Sequence, residues 1–223
     1  MKYNKKNYNK MKRYGLFFFI VGSITNYIDL LTAPVITLGI TATIYFLLMQ
    51  KNKEDINVKD YVIEILKIGA LWTLGYAITW GVKWILIQVI FNKDIIQQSI
   101  EQVIYRIKVP QNEGITAFNY IDILKRARYF FSENMSHMVC IVAIINIITL
   151  TFKNIKKNVN FKTNIFNCIP FIATLLFPMI WYCVLKQHSF IHMFFAYRSL
   201  GITVISALII INTLFEESKE QTN

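Results

Sequence analysis

The stretch YGLFFFIVGSITNYIDLLTAPVITLGITATIYFLLMQ, residues 14–50, decides the fold. Its 37 residues carry a single charge, Asp29. As one straight helix they would reach about 55 Å, nearly twice the ~30 Å of a bilayer's hydrocarbon core. The middle of the stretch reads Asn26-Tyr27-Ile28-Asp29-Leu30-Leu31-Thr32-Ala33-Pro34. Asn and Asp favour turns, a residue before proline is pushed out of the helical region, and proline suits the first position of a new helix. The stretch is therefore expected to be a hairpin of two short spans, about 14–28 and 34–49. A hairpin returns the chain to the side it left.

Outward from this stretch the same pattern recurs. The chain has 223 residues, 55% hydrophobic and 17% charged, with a mean hydropathy of +0.41. Soluble domains carry about a quarter charged residues. Further apolar runs at about 68–91, 137–152, 165–185 and 194–215 bring the expected spans to six. The fold class is all-α: a polytopic membrane helix bundle, read as one domain over 1–223. Trp72, Trp80 and Trp84 fall at helical spacing on one face of the third span. Residues 92–136 form the sizeable non-membrane segment. There Ile96, Ile100, Val103, Ile104 and Ile107 make an amphipathic stripe. A turn is expected at 110–114, and a second stripe starts at Phe118, Ile121 and Leu124. Two helices lying on the membrane surface are expected.

The net charge of +11 does not point to nucleic acid, because the cations flank apolar spans and make no basic recognition motif. Residues 1–13 hold six cations and no acid, and 153–162 hold four lysines and no acid. A hairpin leaves 14 cations inside and 8 outside, and a single first crossing gives the same totals with the later loops inverted. The overlong first stretch and the dense lysine block in a short loop decide for the hairpin. Both termini are thus expected in the cytoplasm, in a bacterial cytoplasmic membrane. The basic N-terminus resembles a signal peptide, but the apolar run continues without a small-x-small cleavage site and reads as retained. Cys140, Cys168 and Cys183 all lie in apolar runs. They fit neither a disulfide framework nor zinc spacing.

Ionisable residues within a membrane are costly and mark sites. With the hairpin, Asp29, Lys83, His137, His188, His192 and Arg198 all come to the outer face. Lys83 and Arg198 there, with His137, His188 and His192, suit a phosphate or diphosphate at headgroup level. The alternative reading makes them interface anchors, since His belongs to the interfacial belt and Lys and Arg snorkel. His188 and His192 share a helix face as a metal pair would, but no HExxH pattern is present and no metal is assigned. No Walker loop, GxGxxG or GxSxG occurs, and no cofactor is implied.

Three stretches carry a resemblance: FFFIVGSITNYIDLLTAPVITLG (17–39), LWTLGYAITWGVKWIL (71–86) and PMIWYCVLKQHSFIHMFFAYRSLGITV (178–204). Together they resemble the C-terminal part of polytopic proteins of Gram-positive bacteria that look like membrane-embedded C-type glycosyltransferases of surface polysaccharide assembly. The resemblance implies a chain that corresponds to part of a longer protein. It also implies action on or beside a polyprenyl-phosphate-linked sugar. In such transferases the catalytic acid sits in the first outer loop of a longer chain, and this sequence would begin after that module. Asp29, the acid in its own first outer turn, is the base candidate if the chain is catalytic, with Lys83 and Arg198 as diphosphate contacts. A transporter or channel subunit and a non-enzymatic accessory or immunity protein are the other readings. Membrane lipid is a partner in all three.

Overall fold

The structure, a computed structural model, describes residues 5–28, 33–52, 56–92, 94–107, 119–154 and 161–215. All regular structure among them is helical. The elements are α1 (Lys5–Ile28), α2 (Val35–Asn52), α3 (Val58–Phe91), α4 (Ile95–Ile107), α5 (Tyr120–Asn154), α6 (Phe161–Val184), α7 (Lys186–Ile191), α8 (Met193–Ala196) and α9 (Leu200–Leu214). A 3-10 turn, Tyr197–Ser199, joins the last two. Four helical stretches are long and apolar enough to cross a membrane: Val58–Phe91, Tyr120–Thr151, Asn164–Val184 and Met193–Leu214. The stretches Tyr14–Ile28 and Val35–Lys51 are apolar but shorter. The chain is built as an integral membrane protein.

The hairpin forms. Helix ends at Ile28 and restarts at Val35, with Pro34 immediately before the new helix; the intervening 29–32, including Asp29, lie outside the described residues. The two arms are antiparallel. Tyr45, late in α2, packs edge-on against Tyr14 and Phe18 of α1, at 5.2 and 5.7 Å between ring centroids. At the other end Thr25 and Thr37 share a 2.7 Å hydroxyl hydrogen bond, and the Trp72 indole of α3 donates to the same Thr37 oxygen at 3.2 Å.

Helix α3 then runs parallel to α1. Their contact is set by glycine: a Cβ on Gly22 would stand 2.1 Å from the Trp72 carbonyl oxygen, and one on Gly75 2.1 Å from that of Phe19. The two backbones touch, and Ser23 Oγ donates across to the Gly75 carbonyl at 3.2 Å. Such close approach is how helices associate where no water drives them together. Phe18, Phe46, Tyr61 and Phe171, fully buried, fill the core between α1, α2, α3 and α6.

Helix α3 begins in a capping box, in which Asp60 N–H donates to Asn57 Oδ1 (2.9 Å) and Asn57 N–H to Asp60 (3.4 Å). It ends on Asn92, at φ 49°, in the left-handed region that asparagine tolerates. The expected aromatic stripe is present as a ladder along its face: Trp72, Tyr76, Trp80 and Trp84, with successive centroids 5.3, 5.9 and 5.3 Å apart.

The second expected surface helix is not a separate element. Helix α5 runs unbroken from Tyr120 to Asn154, 35 residues or about 52 Å, and joins that stripe to the fourth span. It too starts in a capping box, Asn119 with Asp122. The expected turn at 110–114 lies outside the described residues. Helices α6 and α9 are antiparallel and bound by a polar ladder. Asn164 Nδ2 donates to Leu214 O (3.1 Å), Thr174 and Ser206 share a hydroxyl bond (2.9 Å), and Thr203 donates to Leu175 O (3.0 Å). A second core, with Ile123, Ala127, Tyr182, Met193, Ala196 and Leu200, holds the start of α5 against the end of α6 and against α8.

The start of α1 and the end of α9 therefore lie at one end of the bundle. Tyr14 meets Tyr45, Tyr45 donates to Glu64, Gln50 and Tyr61 reach Asn167, and Asn164 reaches Leu214. Asn26, Lys83, α4 and α7 occupy the other end.

A candidate anion-binding cleft at the α3–α4–α7 junction

Lys83 sits on α3 where α1 ends. Its Nζ donates to both the carbonyl and the side-chain oxygen of Asn26, at 2.7 Å each, and lies 4.2 Å from the centroid of the Tyr27 ring. The last carbonyls of a helix lack intrahelical donors and carry the negative end of its dipole. An ammonium from the neighbouring helix answers both needs. The three N–H groups of Lys83 are thus directed at two oxygens and an aromatic face.

Past Lys83, α3 continues for residues 84–91, about 12 Å. After the Asn92 turn, α4 folds back along this extension. The isoleucines expected to dip into the membrane, Ile96, Ile100, Ile104 and Ile107, are exposed. Another side of the helix turns toward α3. Trp80, Trp84, Gln98, Ser99, Gln102, Val103 and Arg106 line a cleft of about 240 Å³ between the two helices. A larger, more open recess of about 560 Å³ lies nearer the α3–α4 turn, but Asp94 and Glu101 line it and would repel an anion.

Arg106 closes the cleft against α7. Its guanidinium lies 3.3 Å from His188 Nδ1. Because arginine only donates, that nitrogen accepts and His188 carries its proton on Nε2. His188 is buried between Gln187 and Ser189, which are also buried, and its ring stands 4.7 Å from that of His192. Tyr182 braces the segment from below, donating to Ala196 O at 2.8 Å, with Ser199 Oγ also 2.8 Å away. Among the described residues the ion pair formed is Lys67–Glu64, at the far end of the bundle; none of them offers Arg106 a carboxylate. A partly covered guanidinium with spare N–H donors and no acid beside it suits a phosphate.

The sequence-derived candidates divide accordingly. His188 and His192 come together, and Lys83 lies on the same end of the bundle. Arg198 is exposed on the 3-10 turn. His137 is exposed on α5, ten residues beyond Ala127, or about 15 Å along the helix. Among the described residues no group of three His, Cys, Asp or Glu side chains, the three histidines included, is placed to hold a metal. Asp29 lies outside the described residues.

Two features escaped the sequence. One is Arg106, whose only signal was its place off the isoleucine stripe of α4. The other is Glu64, buried at the far end, where the Tyr45 hydroxyl donates to it at 2.8 Å and Lys67 pairs with it at 3.4 Å. No protein-family model, curated protein or solved structure matches the chain.

Proposed function

We propose that this protein holds the phosphate-bearing end of a polyprenyl-linked sugar in a bacterial cytoplasmic membrane and works on or beside it in surface glycan assembly. The observation that carries the reading is Arg106, set against His188 at the mouth of a tryptophan-lined cleft with no carboxylate partner among the described residues. Arginine presents a planar fork to phosphate oxygens. Trp80 and Trp84 offer an apolar, amphipathic wall of the kind that sits at headgroup depth. The exposed isoleucines of α4 give an acyl or prenyl chain a surface to follow. Lys186 on α7 and Arg198 on the turn beyond it are further cations of the same segment, with His192 beside His188. In a catalytic version of this reading Asp29 is the base.

The test is binding in nanodiscs with polyprenyl diphosphate, the neutral polyprenol and an anionic phospholipid as ligands. The diphosphate should bind most tightly, and Arg106→Gln should weaken it by about 10- to 100-fold, the value of a hydrogen bond to a charged group. Equal affinity for the neutral polyprenol would overturn the reading, and equal affinity for ordinary phospholipid would reduce it to general lipid contact.

A further inference from the structure

The contact that closes the cleft joins a group that is always charged to one that titrates. Arg106 donates to His188 Nδ1 at 3.3 Å, so the imidazole is an acceptor there and neutral. A protonated imidazole donates from both nitrogens and repels a guanidinium. The contact therefore exists with one protonation state of His188 and not with the other. Histidine is the side chain whose ordinary value, about 6.5, makes that choice near neutral pH.

The surroundings of His188 bias the choice. His188 is buried on α7, between the last two membrane-crossing stretches, and three side chains that fix this segment are cations. Arg106 reaches it from α4, Arg126 of α5 lies 4.8 Å from the centroid of the Phe190 ring, and Lys186 stands 4.9 Å from that of Tyr120. His192, beside His188, is a further group that can take a proton. From α6, Tyr182 arrives as a hydroxyl that donates to Ala196 O, and Arg198 is exposed on the turn beyond α8. The nearest acids along α4 and α5 are engaged elsewhere. Glu101 accepts from Gln97, and Asp122 accepts the Asn119 N–H in its capping box. A proton on His188 adds one more charge to this cationic group, and an anion that arrives with it offsets that charge.

We propose that the cleft takes up its phosphate together with a proton, which goes to His188 Nδ1. The proposal rests on the phosphate reading of the cleft. Before the anion binds, His188 is neutral and holds the Arg106 fork. When phosphate oxygens reach Arg106, the guanidinium turns its N–H groups to them, and His188 loses its donor. A proton from water on Nδ1 then lets the imidazole donate to the same phosphate. By linkage, each binding strengthens the other by the same factor. Phosphate thus binds more tightly as pH falls through the histidine range, and bound phosphate raises the proton affinity of His188. The ligand's own protonation acts in the opposite sense, because a diphosphate that gains a proton loses charge.

The test is polyprenyl diphosphate binding in nanodiscs from about pH 8 to about pH 6, around the ordinary histidine value. Calorimetry in two buffers of different ionisation enthalpy counts the protons. The parent chain should take up a net fraction of a proton per ligand bound. His188→Asn keeps an acceptor at the Nδ1 position but cannot be protonated there, and should take up none. As pH falls over that range, the ratio of parent to His188→Asn affinity should rise by about 5- to 100-fold. In a chain whose other two histidines are glutamine, the imidazole nitrogen NMR signals should pass from neutral to doubly protonated as ligand is added at fixed pH. That measurement keeps the test decisive even if His188→Asn fails to fold. Tight diphosphate binding without proton uptake, or with equal uptake by His188→Asn, would overturn the inference and leave the phosphate reading standing. Failure to prefer the diphosphate over the neutral polyprenol at any pH would overturn both.

Discussion

Lys83 shows how far single residues could be read. Its depth marked it in the sequence as a charge that needs a partner, and a carboxylate or phosphate was the natural expectation. The partner that the structure shows is the carbonyl end of α1, with the Tyr27 ring beside it. A backbone carbonyl leaves no trace in a sequence, so this pairing could not be anticipated. The expected consequence is separable from binding. Lys83→Met should destabilise the protein by about 1–3 kcal/mol, the cost of leaving buried acceptors unmet, and lower its Tm in detergent. Polyprenyl diphosphate binding by the folded fraction should persist. Unchanged Tm with lost binding would instead make Lys83 a phosphate contact. Arg106 was harder still to see. The isoleucine stripe defined which side of α4 is apolar, yet nothing local says that the other side meets Trp80, Trp84 and His188.

At the scale of elements, the hairpin was legible because Asn26 and the Ala33-Pro34 pair act through local backbone preference, which a sequence displays directly. The unbroken α5 was not. Its division near His137 rested on a change from polar to apolar residues, and such a change marks a membrane boundary rather than a helix end. No glycine or proline lies between Tyr120 and Asn154 to stop the helix. The parallel packing of α1 on α3 was equally hidden, since Gly22 and Gly75 are 53 positions apart in sequence and only the fold brings their backbones into contact. That contact makes a sharp expectation. Gly75→Val would drive a side chain into the Phe19 carbonyl, which cannot rotate away, and should cost about 3 kcal/mol. The same substitution at Gly69 or Gly81, where a Cβ meets nothing within 4 Å, should leave thermal stability almost unchanged. Equal losses at Gly75 and Gly81 would mean that α1 and α3 do not touch there.

For the whole molecule, the alternation of α1, α2 and α3 sets everything downstream. It brings Lys83, α4 and α7 to one end of the bundle, and the start of α1 and the end of α9 to the other. Charge counts could not choose between the two topologies, because both leave the same totals on each side. The first stretch settles the packing, and the proposed orientation puts the Arg106–His188 cleft on the outer face. The direct measurement is the accessibility of single cysteines to a membrane-impermeant thiol reagent, in a background lacking Cys140, Cys168 and Cys183. With cysteine placed at Asn52, Asn112 or Asn158, labelling in intact cells should occur only at 112, and the other two should react only after the cells are opened. Labelling of intact cells at 158 but not at 112 would contradict the account and turn the cleft toward the cytoplasm.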